Sequence, residues 1–168
     1  MATLGKTTSG TNATQSSGNK TVVSPFTAGA SGVLANGYVR ARVDTGTGTI
    51  RAVVYADSSG APGAKIAESD AISVTNTTIA ELTGPFSGAN LQSIVSGTVY
   101  HIGASWPDPG SNNIEYERDN TASQRNEQTS DRPDPFGTPS LTSGGPIAAY
   151  VDFFPAVVTD DGAFFEFF

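Results

Sequence analysis

His101 is the only histidine in the chain, and that single ring bounds the chemistry available. One imidazole cannot build a multi-histidine metal centre. A Ser-His-Asp relay would also need a nucleophile in a recognisable setting, and no G-x-S-x-G stretch occurs. His101 lies in TVYHIGASW, residues 98–106. There Tyr100, Ile102, Ala104 and Trp106 alternate with Val99, His101, Gly103 and Ser105, the period of a strand. At such a position a surface or hydrogen-bonded structural histidine is expected rather than a catalytic base.

Carboxylates come next. Glu115 and Glu117 are two residues apart, so a strand puts both on one side, and Asp119 continues the row. A carboxylate pair is what a glycosidase uses. A row of like charges on a solvated edge equally discourages edge-to-edge pairing, and this is the stronger reading. Asp108, Asp131 and Asp134 share one long polar stretch that could offer oxygens to calcium, but the D-x-[DN]-x-[DN]-G spacing is absent. RAVVYADSSGAPGAK, residues 51–65, brings Asp57, Ser58 and Ser59 together. Turn chemistry explains it better than a site: Pro62 fixes φ, Gly63 accepts the positive φ of a type II turn, and Asp57 caps the corner. No catalytic residue, metal ligand or cofactor is assigned, and the expectation is a protein that is not an enzyme.

Two groups of aromatics suggest binding. Trp106 and Tyr116 flank the polar loop that begins at Pro107, and ring faces of this kind stack on sugars; they are the candidate glycan contacts, against a core role for Trp106. Six of the nine phenylalanines fall in the last sixteen residues, at 153, 154, 164, 165, 167 and 168. An exposed FFEFF would aggregate, so Phe164, Phe165, Phe167 and Phe168 are the candidate subunit contacts.

The elements that must position these residues are β-strands. Gly (19) and Pro (10) are abundant, charged residues reach only 15%, and cysteine is absent, which suits a turn-rich all-β domain without disulfides. At 168 residues one domain with a substantial core is expected. Residues 1–20 are polar and lack the apolar core of a signal peptide, so they are expected to form a flexible arm. Residues 21–154 carry the strand signals of a sandwich. Within them GYVRARVD and TIRAVVYAD suggest an antiparallel hairpin. Residues 107–139 read as a long polar loop displayed outward. Residues 155–168 form a tail or a last strand. No run is long enough to cross a bilayer as a helix, and no basic cluster with interleaved aromatics suggests nucleic acid. The net charge of −7 is uneven, the first 65 residues being basic and the remainder acidic. That asymmetry is either solvated surface or an attraction between neighbouring copies.

Three stretches, in order, resemble a jelly-roll β-sandwich module of bacteriophage virion proteins and some bacterial surface proteins. They are RAVVYADSSGAPGAKIAESDAISV, TVYHIGASW and DPFGT at residues 134–138. The resemblance spans roughly residues 2–153; the Phe-rich ending is peculiar to this chain. It implies an all-β, single antiparallel sandwich, jelly-roll-like, with no enzymatic activity. It implies a location in the virion, as a capsid decoration or accessory protein or else a tail component. The partners would be major capsid or tail subunits and further copies of the chain. The alternative is a carbohydrate-binding module for host attachment, with surface glycans as partners. Neither membrane nor nucleic acid is implied.

Overall fold

The computed structural model describes residues 1–107, 113–120, 125–142, 144–158 and 164–165. The strands are β1 (Ala2–Gly5), β2 (Asn12–Ser16), β3 (Lys20–Thr27), β4 (Gly32–Val43), β5 (Gly48–Ser58), β6 (Ala61–Glu68), β7 (Ile72–Val74) and β8 (Ala80–Pro85). They continue with β9 (Ser93–Ile94), β10 (Val99–Trp106), β11 (Ile114–Arg118), β12 (Asn126–Gln128), β13 (Leu141–Thr142), β14 (Ala149–Pro155), β15 (Val157–Val158) and β16 (Phe164–Phe165).

Two antiparallel sheets face each other. Sheet I is organised by β4, whose twelve residues are long enough to serve two partners on each edge. One edge holds β14 and then β11; the other holds β8 and β9. Outside these, β1 pairs β14 and β2 pairs β11. Sheet II runs β13-β12-β3-β10-β5-β6, with β7 extending the β6 edge along β5. The core fills the space between. One end of it holds Val39, Ile50, Trp106, Ile114, Tyr116 and Ile147; the other holds Leu4, Leu34, Val54, Phe86, Ile102 and Phe153. The sheets approach closely at Gly37, where an added Cβ would come within 2.2 Å of the Ala52 side chain.

Four expectations are corrected. The first concerns residues 1–20, which are not a flexible arm in the structure: β1 and β2 belong to sheet I. Leu4 enters the core. The polar residues of β2 are held by ladder bonds and by side chains, such as Arg118 Nε donating to Thr14 Oγ1 at 2.6 Å. An edge strand held this way leaves no apolar alternation to read. The second concerns β4 and β5, which are not a hairpin. They lie in different sheets, because both are buried along one face and the short connection lets each cover the other across the core.

The third concerns the corner in residues 51–65. The turn falls at Ser59 and Gly60, with φ of 57° and 87°, the pair of positive values that a type I′ hairpin needs. Pro62 and Gly63 already belong to β6. That strand lies on a sheet edge, where a proline removes no ladder bond that matters. The fourth concerns the long loop after Pro107. From Thr129 to Pro139 the chain does not project outward but folds across the outer face of sheet II. Phe136 there closes a small cluster with Val23, Val53 and Tyr55.

Candidate functional site

The three stretches that carry the family resemblance meet at this strap. Tyr55 points out of sheet II, donates its hydroxyl to the Pro133 carbonyl at 2.8 Å, and meets Phe136 edge-on with centroids 5.2 Å apart. Phe136 N–H donates to the Gly63 carbonyl at 2.9 Å, and Lys65 N–H donates to Asp134 Oδ1 at 3.0 Å. The Asp134–Pro135 peptide is cis. Further along, Ser105 Oγ donates to Asp131 Oδ1 at 2.8 Å, and Arg132 N–H returns a bond to Ser105 Oγ at 2.9 Å. Burial raises the Tyr55 phenol well above its ordinary range, aided by Asp134 and Glu68, so it stays a neutral donor.

His101 belongs to the same construction. It is fully buried, with Nε2 2.9 Å from Asp57 Oδ1. Asp57 Oδ2 accepts from Gly60 N–H at 3.1 Å, which is the expected cap of the corner. Burial pushes the His101 pKa down, opposed by Asp57. The Gly60 N–H, and secondarily His101, hold the Asp57 carboxyl below its usual value. A neutral, inaccessible imidazole cannot exchange protons with a substrate. Ser105 lies four residues along the same strand, about 13 Å away at strand rise, and its hydroxyl is already committed. The arrangement ties the hairpin tip to the sheet.

The carboxylates of sheet I are likewise engaged. Arg42 reaches Glu115 at 2.7 Å and Arg40 reaches Glu117 at 2.6 Å, across neighbouring strands. Glu117 also accepts from Gly10 N–H at 3.0 Å. These are cross-strand ties. Asp119 pairs with Lys6 at 3.0 Å. Asp131 and Asp134 hold the strap, and Asp108 lies outside the described residues. Among the described residues no group of three His, Cys, Asp or Glu side chains is placed to hold a metal.

Trp106 and Tyr116, the candidate glycan contacts, are both fully buried. Their rings pack 5.4 Å apart, and the Tyr116 hydroxyl donates to Glu127 Oε1 at 3.0 Å. No sugar can stack on them. Alternation explains Tyr116, which must point inward if Glu115 and Glu117 point out; the strap and core together bury β10 on both faces. Tyr38 and Tyr150, directly opposite on β4 and β14, are partly exposed. Their rings stack at 4.4 Å, and the Tyr38 hydroxyl donates to Asp152 Oδ2 at 3.0 Å. Desolvation and the Glu81 carboxylate push Tyr150 up to about 12.

Among the described residues, the exposed large hydrophobic side chains gather at one end of sheet I. They are Met1, Leu91, Val95 and Phe154, each more than half exposed. Across that end Ala2 faces Phe153, Phe154 faces Val33, and Val33 faces Ser93. Met1 precedes this row, and Leu91 and Val95 flank its far side. The sequence does signal Phe154, since alternation with the buried Val151 and Phe153 sends it outward. Leu91 and Val95 sit in a polar stretch and give no such signal.

The C-terminal segment leaves from this same end. β15 and β16 pair with each other, Val157 with Phe165 and Val158 with Phe164, and join neither sheet. That places the backbone of Phe164 and Phe165; Phe167 and Phe168 lie outside the described residues. A hollow of about 360 Å³ on the other sheet is lined by Pro25, Gly60, Ala61, Arg125, Asn126 and Pro139, among others. It offers no nucleophile beside a base. The sequence matches no protein-family model and no curated protein.

Proposed function

We propose that this chain is a non-enzymatic structural protein of a bacteriophage virion, a capsid decoration or accessory protein or else a tail component. It docks onto neighbouring subunits through the end of sheet I from which the Phe-rich segment departs. The gathering of Met1, Leu91, Val95 and Phe154 at that end carries this reading. Isolated apolar side chains scatter over ordinary surfaces, whereas a contiguous group marks an interaction site. A two-stranded ladder standing alone is marginal in water and gains stability from a neighbour. Each phenylalanine an interface buries fully contributes about 1.5–3 kcal/mol. The virion assignment is supported by the three-stretch resemblance, whose residues interlock in one strap. The jelly-roll connectivity belongs to the same reading.

The test is sedimentation of the full chain beside two variants, Leu91→Ser/Phe154→Ser and a truncation lacking residues 163–168. The wild type is expected to self-associate and both variants to sediment as folded monomers with unchanged far-UV circular dichroism. A wild type that remains monomeric at about 100 μM, where even weak specific contacts register, would sink the docking reading.

A further inference from the structure

We propose that the outer face of sheet I carries a binding site for a neutral sugar ring, built on Tyr38 and Tyr150. Four neighbouring strands set it out in one row. Gly5 on β1 faces Tyr150 on β14, Tyr150 faces Tyr38 on β4, and Tyr38 faces Thr83 on β8. The two tyrosines are therefore flanked by a residue without a side chain and by a short, exposed threonine. Neither neighbour is large enough to cover a ring, and both tyrosines remain partly exposed.

The rings are also held still. They lie 4.4 Å apart and within 6° of parallel. The Tyr38 hydroxyl donates to Asp152 Oδ2 at 3.0 Å. Asp152 is itself fixed, because its Oδ1 accepts from the Asn36 backbone N–H at 2.7 Å and from Asn36 Nδ2 at 3.1 Å. The Tyr150 hydroxyl is hydrogen-bonded to Glu81. A platform fixed beforehand loses little freedom when a ligand settles on it.

The surroundings select the ligand. Glu81 and Thr83 are exposed and Asn36 is partly exposed, so carboxylate, hydroxyl and amide groups border the pair. Further along β4 the face is closed off by ion pairs, Arg40 with Glu117 and Arg42 with Glu115. One aromatic patch bounded by a few hydrogen-bonding groups has the composition of a small-ligand site. A pyranose is its counterpart. It presents C–H bonds across one face to an aromatic ring, and hydroxyls around its edge to Glu81, Thr83 and Asn36. The Glu81 and Asp152 carboxylates disfavour an anionic sugar. Stacking uses one open ring face, so a platform of this kind needs no enclosing cavity.

Titration of the full chain with methyl β-D-glucoside and with methyl β-D-galactoside, followed through the tyrosine ring signals by NMR, tests the proposal. At least one sugar is expected to shift Tyr38 and Tyr150 saturably, with a dissociation constant of about 1–10 mM, as suits a weak specific site. Tyr150→Phe keeps the ring and should bind nearly as well as the wild type. Tyr150→Ala removes the platform and should weaken binding about tenfold, the scale of one lost aromatic contact. Glu81 is exposed, so Glu81→Ala reads recognition apart from folding; it too should weaken binding about tenfold, as loss of a charged acceptor implies. Absence of a saturable shift up to about 100 mM of either sugar, far beyond millimolar sites, overturns the proposal. So does wild-type binding in Tyr150→Ala or in Glu81→Ala. Tighter binding of N-acetylarginine amide than of either sugar would assign the face to a cationic side chain and overturn it as well.

Discussion

Phe136→Ala separates a displayed loop from a structural strap. On an exposed loop the substitution would cost almost nothing. In the structure Phe136 is 1% exposed and packed on Val23, Val53 and Tyr55. Removing a buried phenylalanine costs about 3–5 kcal/mol, counting the cavity left behind. The edge-on contact with Tyr55 supplies about 0.5–1.5 kcal/mol of that. Urea unfolding followed by tryptophan fluorescence is a suitable assay, because Trp106 is the sole tryptophan and lies in the core. With an m-value of about 2 kcal/mol/M, the midpoint should fall by about 2 M. Tyr55→Phe provides the scale: it deletes only the bond to the Pro133 carbonyl and should cost about 1 kcal/mol. If Phe136→Ala lowers stability by less than Tyr55→Phe does, the strap is not part of the fold's support and the reasoning fails.

Two further outcomes follow from buried side chains. Trp106→Ala should destabilise by about 3–5 kcal/mol, and any change in glycan-array signal should track the unfolded fraction; a folded variant that loses a specific glycan would restore the lectin reading. His101 and Asp57 both have folded pKa values below their ordinary ones, the histidine below 6.5 and the aspartate below 3.8. Their contribution is therefore complete above the unfolded values and is lost on acidification. Stability should fall as pH drops below about 6.5, where the unfolded histidine takes up its proton first. His101→Gln should flatten that slope in urea midpoints measured across the range; an unchanged slope would mean that other groups set it.

The class of fold was legible because alternation over TVYHIGASW and GYVRARVD survives any arrangement of sheets. The pairing was not. β4 and β5 alternate so well that a hairpin was the simplest reading, yet alternation states only that one face is buried. It does not say whether the burying partner is the next strand's neighbour or the opposite sheet. Polar strands escaped for a different reason. β2 is stabilised by Thr14 and Gln15 reaching Arg118 and Asp44, and such bonds leave no period in hydropathy. Phe136 was visible only as part of DPFGT. Nothing local shows that a lone phenylalanine between prolines and glycines covers a sheet. Trp106 and Tyr116 were aromatic and loop-adjacent, which suggests a platform, but their burial is set by the packing of one sheet on the other, where they meet Val39, Ile50 and Ile147 from strands distant in sequence.

The uneven charge along the chain looks like a device for joining copies, and the structure uses it within one copy. All six basic residues of the first 65 reach an acid from later in the sequence: Lys6 to Asp119, Lys20 to Glu127, Arg40 to Glu117, Arg42 to Glu115, and both Arg51 and Lys65 to Glu68. The basic half is thereby neutralised, and the surplus acids leave each copy at −7. Two copies therefore repel at long range, and the self-association proposed above would have to come from the apolar end of sheet I against that repulsion. Salt separates the two ideas. Raising ionic strength from about 0.01 M to about 0.15 M shortens the screening length from about 30 Å to about 8 Å. Screened repulsion between like-charged copies should strengthen self-association over that range, as read by sedimentation equilibrium. Attraction between a basic and an acidic end would instead weaken with salt, and a falling association constant would show that the paired charges are not spent inside the protomer.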